Sequence, residues 1–241
     1  MTQSTEGIIF RTINYSDSNI IAKIYTRHFG LQSYMVRGAR SKKSKVKANL
    51  LQPMTQVQIE VSQKGKSNIH TINELHCHKP YHSMPFDVVK NSILIFINEI
   101  LYKAIKEEEQ NENLFDFIQN SLDILDLKEE EYANFHLLFM LQLSRYLGFH
   151  PQGIYADNTP VFNLQDGIFV SSPPLHPYYI ESSLAFSLYK MLNLGFDTLS
   201  NSVISGASRQ DLLKTLLIYY ELHLSGFKDV RSHLVLEEVI R

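Results

Sequence analysis

Residues 7–38, GIIFRTINYSDSNIIAKIYTRHFGLQSYMVRG, decide the fold of the first third of the chain. They contain three short runs rich in Ile, Tyr and Thr, separated by the turn-forming stretches SDS and RHFG, which is a pattern typical of β-strands. Two further runs, TQVQIEVSQ (55–63) and KSNIHTINEL (66–75), follow it. Five strands in about eighty residues favour a small closed or nearly closed antiparallel barrel, because closure hides the strand edges.

The segment between the third and fourth predicted strands is strongly basic. Residues 37–47, RGARSKKSKVK, contain no acid and six cations: Arg37, Arg40, Lys42, Lys43, Lys45 and Lys47. Like charges this close repel one another, so we expect the segment to bind something anionic rather than to fold onto itself.

The formal net charge of −2 hides two charge regimes. Residues 1–79 hold twelve Lys and Arg against four acids, a net charge of +8, whereas residues 80–241 hold eleven against twenty-one, a net charge of −10. This division predicts two domains, 1–79 and 80–241, of which the first has the electrostatic character expected for a polyanion ligand.

Aromatic residues are interleaved with the cations of the predicted barrel. OB-folds use this combination to follow a phosphate backbone and to stack unpaired bases. At least half of the aromatics are expected in the barrel core, but Tyr25 and Tyr34 have polar neighbours on their strands and are predicted to lie on the surface. The predicted nucleic-acid site therefore comprises the six cations of the basic segment together with Arg11, Lys23, Tyr25, Arg27 and Tyr34.

The remaining two thirds of the chain read as helices. Apolar residues recur at helical spacing from Ser83, the predicted N-cap of the first helix, and Asp126 is the predicted N-cap of the third. We expect an α+β protein in which the barrel is followed by an α-helical bundle. Residues 149–176 interrupt the helices with a proline-rich, cysteine-free insertion, predicted to hold a hairpin of VFNL and GIFV around Gln165 and Asp166.

Motifs for catalysis, phosphate binding or cofactors are missing from the sequence. HCHKPYH (76–82) has metal-ligand residue types, but it offers at most three ligands where structural zinc needs four, so a linker is favoured. Ser144 and Arg145 could form a catalytic group with His136 or His150, yet no orienting group or oxyanion donor is identifiable. We predict no enzyme activity, no metal and no cofactor.

The single cysteine and the apolar runs bound the location. One Cys excludes an intrachain disulfide and fits a reducing compartment. The runs ILIFI (93–97) and LLFML (137–141) are far shorter than a bilayer span, and the first residues lack a secretory pattern. A cytoplasmic protein without membrane contact is expected.

The ordered set of these stretches resembles the bacterial DNA repair protein RecO family. The resemblance rests on the opening strands, on RGARSKKSK and LLQPM, on RYLGFHP (145–151) and on the closing LLIYYELHLSGFKDVRSHLVLEEV (216–239), and it spans nearly the whole chain. It implies a recombination mediator that binds single- and double-stranded DNA, anneals complementary strands, associates with RecR and the single-stranded DNA-binding protein, and helps to load RecA.

Only the basic segment carries over from the family residue by residue. Lys214, Lys228 and Arg231 are candidate cations for the acidic tail of the single-stranded DNA-binding protein. Many relatives bear zinc-binding cysteines after the G-F-x-P stretch, and residues 149–176 have none. The insertion is therefore predicted to contain no zinc and to be held by packing of side chains such as Tyr155, Val161, Phe162 and Phe169.

Two other functions fit the same residues. The protein could be an interaction adaptor whose basic loop binds an acidic partner segment. It could also be an RNA-binding OB protein, since recognition of the 2′-hydroxyl cannot be read from this sequence. A hydrolase is the least favoured alternative.

Overall fold

The computed structural model describes residues 2–39, 46, 48–62, 69–106, 108–201 and 204–240. The strands are β1 (Thr2–Asn14), β2 (Ile20–Thr26), β3 (Gly30–Val36), β4 (Gln56–Ser62), β5 (Ile69–Lys79), β6 (Val161–Asn163), β7 (Ile168–Val170) and β8 (Tyr179–Ile180). The helices are α1 (Val88–Ala104), α2 (Glu112–Leu127), α3 (Phe135–Tyr146), α4 (Ser182–Leu192), α5 (Gly206–His223) and α6 (Ser232–Val239). The α+β architecture that the sequence predicts is confirmed.

The first five strands form a closed barrel in the order β1-β2-β3-β5-β4. Neighbouring strands pair antiparallel except β3 and β5, which run parallel. With 13 residues, β1 is long enough to pair with β4 through its first half and with β2 through its second half. The five-stranded OB-type barrel is therefore present, with an interior packed by aliphatic side chains from every strand.

A bulge at Phe10 reverses the facing of the side chains of β1. Ile9 is fully buried in the barrel core, whereas Arg11 and Ile13 are exposed. Side chains alternate along a strand, so Arg11 would follow Ile9 into the core unless one extra residue intervened. The pairing register between β1 and β2 shifts between Ile9 and Arg11, which supplies that residue. The bulge therefore turns Arg11 out to solvent.

Tyr25 and Tyr34 are buried, so the prediction that they lie on the surface is wrong. Tyr34 shares its facing with Val36 and belongs to the barrel core, where burial raises the pKa of its phenol to about 12. Tyr25 lies on an outward-facing position of β2, but the ring of Phe10 stacks on it at 5.7 Å and that of Phe115 in α2 covers it at 6.0 Å. Both tyrosines therefore contribute to packing.

Two predicted helix starts are also wrong. α1 begins at Val88 rather than near Ser83, because the Asp87 carboxylate accepts hydrogen bonds from the backbone N–H groups of Val89 and Lys90. Asp126 does not cap the third helix; it lies in the last turn of α2, where its Oδ1 accepts from Met84 N–H.

The insertion folds as a small three-stranded sheet in the order β7-β6-β8. β6 and β7 form the predicted hairpin, whose turn is closed by the Asn163 side chain accepting from the N–H groups of Gln165 and Asp166. The packing residues behave as expected: Val161, Phe162 and Phe169 are buried, and the half-buried Tyr155 contacts the ring of Phe169 at 6.2 Å.

Contacts divide the chain into two compact units. The first comprises residues 1–83 and 98–123, that is, the barrel with parts of α1 and α2; the second comprises residues 84–97 and 124–241. Across the described ranges, the helices are all too short or too polar to cross a membrane.

Candidate nucleic-acid interface

Two cations stand directly opposite each other on neighbouring strands of the barrel. Arg11 of β1 pairs with Lys23 of β2, and Lys23 in turn pairs with Ser33 of β3. Like charges directly opposite each other destabilise a sheet. Within the part of the chain that the structure describes, neither cation has a carboxylate partner; Arg11 donates instead to the hydroxyl of Tyr102 at 3.3 Å. This is an uncompensated positive pair.

An apolar row lies next to this pair. Ile13 of β1 is opposite Ile21 of β2, and Ile21 is opposite Met35 of β3. These positions are two residues further along each strand, so they lie on the same outward face, roughly 7 Å from the cations. Ile13 is 47% exposed. The row can therefore contact the apolar parts of a ligand that the cations hold.

A third row closes the face at the turn between β1 and β2. Tyr15 follows β1 and is 62% exposed, and Arg37 follows β3 and is exposed as well. Asn19, just before β2, links the two strand ends: its carbonyl accepts from Tyr15 N–H at 3.0 Å and its side-chain oxygen accepts from Gly38 N–H at 3.1 Å. We call the surface formed by these three rows the cationic face; its residues are Arg11, Lys23, Ser33, Ile13, Ile21, Met35, Tyr15 and Arg37.

The basic segment begins at this face. Of its six cations, Arg37 is described and exposed. Arg40, Lys42, Lys43, Lys45 and Lys47 lie outside the described residues. The flanking residues Ala39 and Val46 are both buried in the barrel core.

Arg27 is not part of the cationic face. Its guanidinium binds the carboxylate of Glu6 at 3.2 Å and that of Asp116 at 2.6 Å, and it lies over the ring of Phe115 at 4.9 Å. Two carboxylates and an aromatic ring therefore contact the Arg27 guanidinium, an arrangement typical of a cation that stabilises the fold. Its predicted role in DNA binding has no support from this arrangement.

The opposite side of the barrel carries acids. Glu60 of β4 is directly opposite Glu74 of β5. Imidazoles accompany these acids, since His76 lies 3.3 Å from Glu74 and His78 lies 3.9 Å from Glu6. We call the surface of Glu6, Glu60, Glu74, His76 and His78 the acidic face. Its carboxylates disfavour phosphate on this side of the barrel.

The histidine cluster HCHKPYH does not form a metal site within the described ranges, where no group of three His, Cys, Asp or Glu side chains converges. His76 and His78 point to the same side of β5, as alternation predicts, but each faces a carboxylate of the acidic face. Cys77 is exposed between them.

The candidate catalytic group is arranged as a structural element. Arg145 Nε donates to His150 Nε2 at 3.1 Å, so this ring nitrogen is an acceptor and the proton resides on Nδ1. Nδ1 then donates toward the carbonyl of Leu141 at 3.0 Å. Ser144 donates its own proton to the same carbonyl at 2.7 Å. His150 therefore cannot accept the proton of Ser144 and tethers the chain after α3 to that helix.

His136 is equally unsuited to catalysis. Its ring is fully buried and packs edge-on against Phe96 at 5.8 Å. Burial and, to a lesser extent, the charge of Arg209 lower the pKa of His136 to about 3. The imidazole is therefore neutral at physiological pH and remote from solvent.

The three cations suggested for partner binding are exposed. Lys214 lies on α5, and Lys228 and Arg231 precede α6. Their role in binding a partner stays a prediction.

Sequence reasoning missed the apolar row and the special place of Tyr15. The run IIF at 8–10 conceals the bulge, and without the bulge the outward facing of Ile13 and Tyr15 cannot be deduced. The pairing of Arg11 with Lys23 follows only from the register. Once the strand ends are known, counting back from the turn would give that register.

A closed five-stranded barrel with this strand order is typical of the OB-fold class. The family model described as "Recombination protein O N terminal" matches residues 1–81, and that described as "Recombination protein O C terminal" matches residues 85–232. The chain belongs to the RecO family of DNA repair and recombination proteins.

Three named relatives are similar to this chain in sequence over nearly their full length. The DNA repair protein RecO of Flavobacterium psychrophilum is 39% identical over 244 residues, covering 99% of both chains. That of Christiangramia forsetii is 39% identical over 236 residues and covers 98% of both. That of Phocaeicola vulgatus is 34% identical over 239 residues and covers 99% of both.

Proposed function

We propose that the protein binds single- and double-stranded DNA through the cationic face and the basic segment, and that it anneals complementary strands. The observation that carries this proposal is the pair Arg11 and Lys23, set opposite each other without a carboxylate partner among the described residues. A sheet tolerates such a pair at a cost, which an anionic ligand removes. The basic segment, which starts at Arg37 on the same face, extends this charge.

Annealing on this surface requires no chemistry. Two DNA strands repel each other through their phosphates, and a cationic surface lowers that repulsion and raises the local concentration of both. The acidic face on the other side of the barrel favours contact on one side only. We accordingly propose that the protein is not an enzyme, which the proton positions in the Ser144–His150 pair support.

Proteins of the recombination pathway are the proposed partners. We propose association with RecR and with the single-stranded DNA-binding protein, and through them assistance to the loading of RecA. Membership of the RecO family supports this step. Lys214, Lys228 and Arg231 are the proposed cations for an acidic protein tail, because all three are exposed.

The test replaces the six cations of the basic segment by Ala and measures affinity for single-stranded DNA across salt concentrations. Each lost phosphate contact reduces the slope of log K against log salt by about 0.7, so six losses reduce it by up to about 4. Weakening should be similar for all DNA sequences, and the rate of annealing of complementary oligonucleotides should fall in parallel.

A matched control replaces Lys106, Lys128 and Lys190, which lie outside residues 1–79, and is compared with a triple replacement of Lys42, Lys43 and Lys45. Only the second triple should change the slope. An unchanged affinity and slope in the six-fold variant would refute the proposal. Preference for RNA over DNA in a competition assay would instead support the RNA-binding alternative.

A further inference from the structure

Among its Phe and Tyr residues, the barrel exposes a single side chain to a ligand. Residues 1–79 contain five Phe and Tyr residues, Phe10, Tyr15, Tyr25, Phe29 and Tyr34, and the structure describes all of them. Three are almost completely buried and Phe29 packs against the barrel core. Tyr15 is the exception, with 62% of its surface exposed. Among the Phe and Tyr side chains of the barrel, Tyr15 is therefore the one placed to stack on a base.

The position of Tyr15 suits this role. It lies on the outward side of the chain after β1, in the row that also contains Arg37, and Asn19 links these two places by accepting hydrogen bonds from Tyr15 N–H and Gly38 N–H. A strand held by Arg11 and Lys23 and continuing toward the basic segment passes this row. The exposed carboxylate of Asp17 lies in the same turn and disfavours a phosphate there, which leaves the turn to a base.

We propose that Tyr15 is the sole base-stacking residue of the barrel and that the remaining contacts with DNA are made to its backbone. This inference rests on the proposed function and deepens it. One stack fixes one base of a bound strand, while the apolar row and the cations contact sugars and phosphates. All other bases of the strand then remain free to pair with a complement, which is what annealing requires.

The experiment compares two oligonucleotides with the same number of phosphates, oligo(dT) and an abasic chain that lacks bases. Stacking of one base on an aromatic ring corresponds to an affinity ratio of about fivefold or more. The full-length protein should prefer oligo(dT) by at least this factor. Tyr15→Leu should reduce the ratio to about one without altering binding to the abasic chain, and Tyr15→Phe should retain the ratio.

A second readout uses the absence of Trp from the chain. The Tyr15→Trp variant has one indole, whose fluorescence should be quenched by oligo(dT) and not by the abasic chain. The proposal is overturned if Tyr15→Leu binds both oligonucleotides with the same ratio as the unmodified protein, or if the indole does not distinguish them. Failure of the proposed function gives a different result, since neither oligonucleotide would then bind.

Discussion

Each side of the barrel carries a pair of like-charged residues opposite each other on neighbouring strands, positive on one side and negative on the other. On the cationic face Arg11 stands opposite Lys23, and on the acidic face Glu60 stands opposite Glu74. The difference lies in the surroundings. Histidines accompany the acids, whereas among the described residues the two cations have no carboxylate partner, and Arg11 contacts the hydroxyl and the ring of Tyr102. For the proposed function, the position of charge on the barrel, rather than the net charge of −2, therefore decides where DNA would bind.

The largest effect is expected from reversing the charges of one face at a time. Arg11→Glu combined with Lys23→Glu should weaken binding of single-stranded DNA at least about tenfold, or about 1.4 kcal/mol. Glu60→Lys combined with Glu74→Lys should change it by less than about threefold at 0.15 M salt, where charges more than about 8 Å away are screened. Fluorescence anisotropy measures both. If the two double variants change DNA affinity by equal factors in opposite directions, net charge governs binding and the two faces do not differ in function.

A smaller effect is expected from Arg27, which we place among the residues that stabilise the fold and not in the proposed DNA interface. Arg27→Gln removes the ion pairs with Glu6 and Asp116 and the contact with Phe115. The free energy of unfolding should fall by about 1 kcal/mol, because the groups are partly exposed, while DNA affinity stays within about twofold. Urea unfolding and anisotropy on the same sample check this. A loss of DNA affinity as large as that caused by reversing the charges of Arg11 and Lys23 would show that Arg27 belongs to the DNA interface.

The smallest effect concerns the cost of the like-charged pairs. Lys23→Gln and Glu60→Gln each remove one member of a pair and should each raise the free energy of unfolding by about 0.2–1 kcal/mol. Of the two, Lys23→Gln alone should weaken DNA binding. If both variants gain stability and both lose DNA affinity, the cationic and acidic faces do not differ in their contribution to binding.

The barrel could be predicted from its strands because short β-rich runs and their turns are local signals. Tyr34 could also have been placed correctly, since it lies two residues before Val36 on the same strand and so faces the same side, the barrel core. Tyr25 could not, because the ring that covers it belongs to Phe115, ninety positions away along the chain. The same limit applies to Arg27, whose partner Asp116 lies on α2. Local patterns reveal facing, whereas partners from distant segments decide exposure and charge.

The predicted starts of the first and third helices were wrong for a related reason. Ser83 and Asp126 are good capping residues by type, but the backbone groups they would cap are not at those positions. The carboxylate of Asp87 takes that role in α1, and Asp126 is engaged by Met84 from a distant part of the sequence. Residue type alone does not distinguish a cap from a tertiary contact.

The single extra residue at Phe10 makes the length of β1 as important as its composition. Deleting one residue from the stretch 8–10 would restore strict alternation, and every side chain from Arg11 to Tyr15 would exchange inside for outside. A guanidinium would then be forced among aliphatic chains, and the isoleucine row would lose its place in solvent. Insertions and deletions at this point should therefore be far more damaging than substitutions of the residues themselves.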